Sequence, residues 1–226
     1  MSDMIKITDL YDLNETIAAD YLKGFEYPWE ALAGIKAFIL ELGKTLPEDR
    51  FEKRGEDIWV AKSAKVAPTA CLNGPLIIDE DAEIRHCAFI RGSVIVGKNS
   101  VVGNSTELKN VILFNTVQVP HYNYVGDSIL GYKSHMGAGS ITSNVKSDKK
   151  NVIVKGENSY ETGLKKFGAM LGDRAEIGCN SVLNPGSVIG RDTIVYPTSC
   201  FRGVLPANSI FKKSGEICIR NAEELF

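Results

Sequence analysis

Between Val60 and Phe114 an aliphatic or aromatic residue falls on every sixth position: Val60, Val66, Leu72, Ile78, Ile84, Ile90, Val96, Val102, Leu108 and Phe114. A second run with the same spacing comprises Leu171, Ile177, Leu183, Ile189, Val195 and Phe201. Helices repeat apolar positions at about 3.6 residues and half-buried strands at 2, so a period of six belongs to neither. It predicts a hexapeptide β-helix, one short strand and one turn per six residues, with about 18 residues per triangular coil and roughly seven coils. Two positions before the apolar residue stand Ala64, Ala70, Ala82, Ala88, Ser100 and Thr106, small enough for the crowded corners of such a coil. A β-sandwich would instead alternate at period 2 with irregular turn spacing. The fold class expected is therefore all-β, with the apolar sixth positions pointing inward.

Residues 8–46 carry a helical pattern instead. Thr8 or Asp9 would cap a first helix running to Lys23, with Gly24 as its stop. Pro28 would open a second helix with Leu32, Ile35, Ile39 and Leu42 on one face, ended by Gly43 and Pro47. The expected organisation is an N-terminal helical extension over 1–56 and the β-helix over 57–226. The extension would pack on the β-helix or a neighbouring subunit and cover the open first coil. A polar, irregular loop is expected at about 145–166, carrying Lys146, Lys149, Lys150, Lys155, Lys165 and Lys166. Long loops leaving a regular scaffold are usually functional. The tail after Phe211 would close the last coil.

Composition narrows the function. A formal charge of -2 gives no general attraction to nucleic acid or to an anionic membrane. Five cysteines form no CxxC pair and leave one over in any pairing scheme, which points to reduced thiols and a cytoplasmic protein. Cys71 and Cys87 fall near repeat positions and read as core or corner filler. No signal peptide or stretch of about 18 apolar residues is apparent. Gly92 to Lys98 spells the start of a P-loop, but Asn99 follows where Ser or Thr is required, so the segment reads as β-helix turn.

Two places in the repeat carry candidate chemistry. Arg91 and Lys109 lie eighteen residues apart, hence about 4.8 Å apart on one face of adjacent coils. Two cations so placed repel unless an anion lies between them; the alternative is that both point into solvent. After Phe114 the apolar positions Val119 and Val125 are reached one residue early, and His121 sits in that irregularity. Irregularity in a regular fold gathers at functional sites.

At these residues the chain resembles the acetyltransferase half of the bifunctional glucosamine-1-phosphate acetyltransferase/uridyltransferase family. The segment from His121 to Asn144, HYNYVGDSILGYKSHMGAGSITSN, is similar to that family's His-Leu-x-Tyr-Leu-Gly-Asp start and Gly-Ala-Gly-Thr-Ile-x-x-Asn end, and the match runs from about Ile58 to Lys213. The resemblance implies a left-handed β-helix, a parallel homotrimer with sites between subunits, and acetyl-CoA or another acyl-CoA as co-substrate. It implies that Arg91, Lys109 and Lys166 bind a sugar phosphate beside Tyr124, and that His121 is the general base oriented by Glu107. Asn144 would hold the amine and acetyl group. Gly137, Ala138, Cys179, Pro197 and Lys213 would line the coenzyme. Departures stand at His135 and Val145, where the family carries Asn and Tyr, and at Cys179 and Lys213, where it carries Ser and Arg. The nucleotidyltransferase half of the family is not expected in residues 1–56, which are too few for it.

The expected activity is thus N-acyl transfer to an amino-sugar phosphate resembling glucosamine 1-phosphate, without a metal. Histidine's pKa suits a base at neutral pH, and backbone N–H groups of Gly137, Ala138 and Gly139 are oxyanion-hole candidates. Lys109→Ala would be expected to leave the melting temperature nearly unchanged. Two alternatives stand beside this reading. One is a γ-type carbonic anhydrase, which needs three zinc-binding histidines and would have only His86, His121 and His135. The other is a non-catalytic β-helix that binds sugar phosphates or sugar nucleotides.

Overall fold

The computed structural model describes residues 4–220. The chain winds as a left-handed parallel β-helix with three walls. Eight strands stack on the first wall, from Ile58–Ala61 to Val204–Leu205. Eight stack on the second, from Lys65–Val66 to Ser209–Phe211, and seven on the third, from Cys71–Leu72 to Cys200–Phe201. Two long strands, Glu107–Leu113 and Tyr124–Leu130, run round the corner from third wall to first. The sixth positions form the inner core: Val96, Val102, Leu108, Leu171 and Leu183 are fully buried, and Leu113, not Phe114, lies opposite Val96, while the buried Phe114 ring packs against Tyr11 of the extension at 5.0 Å. Small corner residues also bond across coils, Ser100 Oγ donating to the Phe114 carbonyl at 2.9 Å and Thr106 Oγ1 to that of Val119 at 3.0 Å.

The first wall is apolar on its outer face too. Ile77, Ile95, Ile112, Ile129 and Met170 lie opposite one another on successive rungs and are all fully buried. Alternation along a strand sends them outward, where the N-terminal extension covers them. Its helix Ile35–Thr45 lies against the rungs Leu76–Ile78, Val94–Val96 and Glu107–Leu113. Gly43 is inside that helix rather than at its end, and glycine is needed there for packing, since a Cβ would sit 2.5 Å from the Trp59 ring. The extension thus follows one wall. The helices do not cover the first coil's open edge; the end of the extension does, as the strand Phe51–Gly55 pairs antiparallel with Ile58–Ala61, and the last coil is closed by Ile217–Ile219, antiparallel to Ser209–Phe211.

The expected first helix is broken into Ile7–Leu10, a 3-10 turn at Leu13–Glu15, and Ala19–Leu22. Tertiary tethers hold the intervening residues extended. Tyr11 Oη donates to the Ile129 carbonyl at 3.3 Å, and Asn115 donates to the Glu15 backbone carbonyl and carboxylate at 2.9 and 3.1 Å. The buried Asp173 carboxylate accepts from the backbone N–H of Asp12 at 2.7 Å and of Tyr132 at 2.8 Å, with Arg191 Nη2 at 3.4 Å. The second predicted helix likewise divides, into a 3-10 turn at Pro28–Ala33 and the helix Ile35–Thr45.

The inserted loop is more ordered than its polar composition suggests. It folds back as a hairpin, Ile153–Lys155 against Ser159–Glu161, and buries Val152 and Val154 completely. Tyr160 and Phe167 meet Trp29 of the extension, ring centroids 6.1 and 5.9 Å apart. Cys71 and Cys87 are exposed, not core filler, and all five cysteines are free. The P-loop-like segment is a β-helix strand, Val94–Val96, and its lysine, Lys98, pairs with Glu80 at 2.6 Å. Among the described residues no helix is long and apolar enough to cross a membrane.

Candidate active site

The repeat tightens at one corner. Leu108 lies opposite Ile90, eighteen residues on, whereas Val111 lies opposite Val94, only seventeen on. One residue is therefore lost at Lys109–Asn110, before Phe114 rather than after it, and Asn110 takes the turn with a φ of 56°. On the next coil Asp127 turns the same corner at φ 48°. One coil later the inserted loop departs after Asn144, and the chain returns through Phe167, whose N–H donates to the Asn144 carbonyl at 3.0 Å.

This corner gathers a charged cluster. Lys109 Nζ lies 2.8 and 3.1 Å from the two oxygens of Asp127, which is almost fully buried. Asp127 also accepts from Asn110 Nδ2 at 3.0 Å and Asn144 Nδ2 at 2.5 Å. Arg91 Nη1 donates to Glu107 Oε1 at 2.8 Å, a bond that holds the guanidinium's pKa above its ordinary value. Each of the two stacked cations thus has its own carboxylate, and the four groups are formally neutral together. Asp127 was not singled out from sequence; its signal was the Gly126-Asp127 pair at the corner where the repeat shortens.

Tyr124 stands on the rung between Glu107 and Ile141. Burial chiefly, then the Asp127 and Glu107 charges, pushes its phenol pKa up, while a hydrogen bond with the Asn144 amide works the other way. A Cβ on Gly126 would lie 2.5 Å from the Tyr124 hydroxyl and 2.9 Å from Asn144 Nδ2, so glycine makes room for both. Lys166 is exposed and follows the same corner, next to Phe167.

His121 occupies the other end of the third wall, at its corner with the second, and its side chain is exposed. Among the described residues its ring has no hydrogen-bond partner; in particular Glu107, committed to Arg91, does not reach it here. A continuous column descends from it along this corner. Gly139 N–H donates to the His121 carbonyl at 3.0 Å, Asn180 N–H to Ala138 at 2.8 Å and Thr198 N–H to Cys179 at 2.8 Å, so His121, Ala138, Cys179 and Pro197 mark successive rungs. A Cβ on Gly137 would lie 2.7 Å from the Cys179 nitrogen, so the coils touch closely there. Gly137 and Gly139 spend their N–H groups on the ladder, leaving Ala138 N–H uncommitted among the described residues. Lys213 lies further along, exposed to solvent.

The structure does not bring His135 to this wall. It sits on the second, where Nδ1 is 2.8 Å from Glu176 Oε2. His86 is apart as well, its Nδ1 2.8 Å from Thr69 Oγ1. Among the described residues no three His, Cys, Asp or Glu side chains converge as a metal site.

A family model, the GMPPB C-terminal domain, matches residues 72–159. The bifunctional protein GlmU of Methanococcus maripaludis strain C5 is 28% identical over 232 residues, covering 95% of this chain and 53% of that protein. The chain resembles the acetyltransferase half of GlmU-like proteins. The bifunctional sugar-1-phosphate nucleotidylyltransferase/acetyltransferase of Sulfurisphaera tokodaii is 33% identical over 147 residues, covering 56% of this chain and 36% of that protein. The chain spans about half the length, or less, of these GlmU-like relatives. Among solved structures, the polySia-specific acetyltransferase NeuO aligns with a TM-score of 0.51 at 14% identity, over 70% of this chain and 80% of that one. This likeness agrees with the β-helix described above.

Proposed function

We propose that the chain is an acyl-CoA-dependent N-acyltransferase whose acceptor is an amino-sugar phosphate, with acetyl-CoA as donor. The observation that carries the reading is the pair of features facing each other across the third wall: the corner column His121–Ala138–Cys179–Pro197, and the polar cluster of Arg91, Lys109, Tyr124 and Asn144. The names of the relatives, one a sugar-1-phosphate nucleotidylyltransferase/acetyltransferase, support it. The acceptor sugar would lie over Tyr124, its phosphate drawn to Arg91, Lys109 and Lys166 and its amine directed at His121.

An amine must lose a proton as it attacks a thioester carbonyl. The unpartnered imidazole of His121 would take it, and Glu107, whose Oε1 holds Arg91, would turn Oε2 toward the imidazolium once it forms. Asn144 would hold the amine and carbonyl in line. The free Ala138 N–H would face the developing oxyanion, a donor commonly worth about 3 kcal/mol. Cys179, Pro197 and Lys213 would follow the coenzyme along the corner. Phosphate binding remote from the reacting atoms would supply the positioning energy. A parallel homotrimer in the cytoplasm would set the second wall of one protomer, with its His135, against the third wall of the next.

Coenzyme A thiol release with glucosamine 1-phosphate and acetyl-CoA tests the proposal. His121→Ala should lower the rate by about 10²–10⁴-fold while leaving sugar-phosphate binding intact. A wild-type protein that binds the sugar phosphate and transfers nothing would instead make it a non-catalytic binder.

A further inference from the structure

A second polar recess opens on the third wall, beyond Asn144. It has a volume of about 430 Å³ and lies between the start of the inserted loop, Val145 to Asp148, and the rungs that end in Ser143, Asn184 and Arg202. Those three residues are stacked: Ser143 N–H donates to Leu183 and Asn184 N–H to Phe201, both at 2.8 Å. From Lys109 to Arg202 is four rungs, about 19 Å at strand spacing. The recess thus begins beside Asn144, two rungs from Lys109, and its arginine lies well beyond the Lys109–Asp127 cluster.

Its charges are differently disposed. Arg202 alone among the described arginines has neither an ion pair nor a hydrogen bond; every other one meets a carboxylate or a carbonyl. Lys146 also lines the recess, with its side chain only 16% exposed. Its ammonium lies 3.2 Å from Asp148, an exposed carboxylate also held by the Lys150 N–H at 3.0 Å. Two cations against one anion leave a net positive charge, and the hydroxyls of Ser143 and Ser147 stand free to donate. Lys146 Nζ also donates to the Asn151 carbonyl at 3.4 Å, and the half-exposed Asp148 carboxylate is screened by water, so an incoming anion can take its place beside the ammonium. Arginine's planar fork suits phosphate oxygens in particular.

We infer that this recess is a second anion subsite, which takes a phosphate or diphosphate group of a ligand lying across the third wall. The ligand's identity rests on the proposed function; the subsite itself does not. Two sources share the chemistry: the diphosphate of the coenzyme, whose column occupies the same two coils at Cys179 and Pro197, and a phosphate on an extended acceptor.

Calorimetric titration tests the inference, with inorganic pyrophosphate as probe, then acetyl-CoA and glucosamine 1-phosphate. Arg202→Ala should raise the pyrophosphate Kd about tenfold, and Lys146→Ala should add to it, whereas Lys65→Ala on the second wall should change nothing. If Arg202→Ala also weakens acetyl-CoA but not the sugar phosphate, the coenzyme is the source; the reverse pattern assigns the acceptor. If wild-type protein binds pyrophosphate through Arg202 but neither of the other two, the subsite stands and the proposed function falls. Unchanged pyrophosphate binding in the Arg202→Ala, Lys146→Ala double variant overturns the subsite.

Discussion

Lys109 and Asp127, one coil apart, form an ion pair in which both carboxylate oxygens lie within 2.8–3.1 Å of the ammonium. The pair converts an anticipated repulsion between stacked cations into a structural bond at the corner where the repeat loses a residue. It also overturns the expectation that Lys109→Ala is thermally silent. The variant leaves a buried carboxylate with only the amides of Asn110 and Asn144, and should lose about 3 kcal/mol. Chemical denaturation would read the loss directly.

The converse substitution separates stability from binding. Asp127→Asn keeps the shape of the site but removes its negative charge, so the Lys109 ammonium becomes available to an added anion. Inorganic phosphate should raise the melting temperature of this variant more than that of wild type. Equal shifts in the two proteins would mean that Lys109 does not bind anions.

Glu107→Gln should act on two levels. It takes the charge from the Arg91 partner and from the side chain proposed to stabilise the His121 imidazolium. The rate of acyl transfer should fall less than in His121→Ala, and its pH profile should shift. A rate lowered with an unchanged profile would restrict Glu107 to holding Arg91.

Asp173 gives a pH signature of folding. Burial, above all, raises its carboxyl pKa, against the pull of the Asp12 N–H and Arg191. The folded state therefore keeps this proton longer than the unfolded chain does. The associated stability is full below the unfolded carboxyl value, about 4, and is lost as pH rises through the folded value. Asn at this position does not titrate, so the stability of Asp173→Asn relative to wild type should improve from pH 4 to pH 7, whatever its constant offset. A difference that is flat with pH would contradict this.

Trp29 should matter to a site it does not touch. Its contacts with Tyr160 and Phe167 fix the returning end of the inserted loop, next to Lys166. Trp29→Ala should cost about 3–5 kcal/mol of stability. In protein that remains folded, it should raise KM for the sugar phosphate more than it lowers kcat.

The period of six made the inner core legible, because an inward position is set only by coil geometry and burial. The outer face of the first wall was not legible in that way. Ile77, Ile95 and Ile112 sit one residue before the repeat position, and their burial depends on the extension lying across them. The broken first helix escaped for a similar reason: local propensity is overridden where Tyr11, Asp12 and Glu15 bond to residues a hundred or more positions away. His121, Tyr124 and Asn144 stood out in their dense motif. The carboxylate that organises the corner did not, since Asp127 acts through contacts seventeen and eighteen residues off.

The extension has one more consequence. A bare solenoid unfolds piecemeal, because each coil touches only its neighbours and the end coils fray first. Here a single strap runs from the Trp59 rung, through Ile95 and Ile112, to Ile129 and Asp173. Coils far apart along the axis therefore share one covering element, and loss of any of them uncovers the rest. The strapped coils, from Trp59 to Asp173, should melt in one cooperative transition rather than one rung at a time.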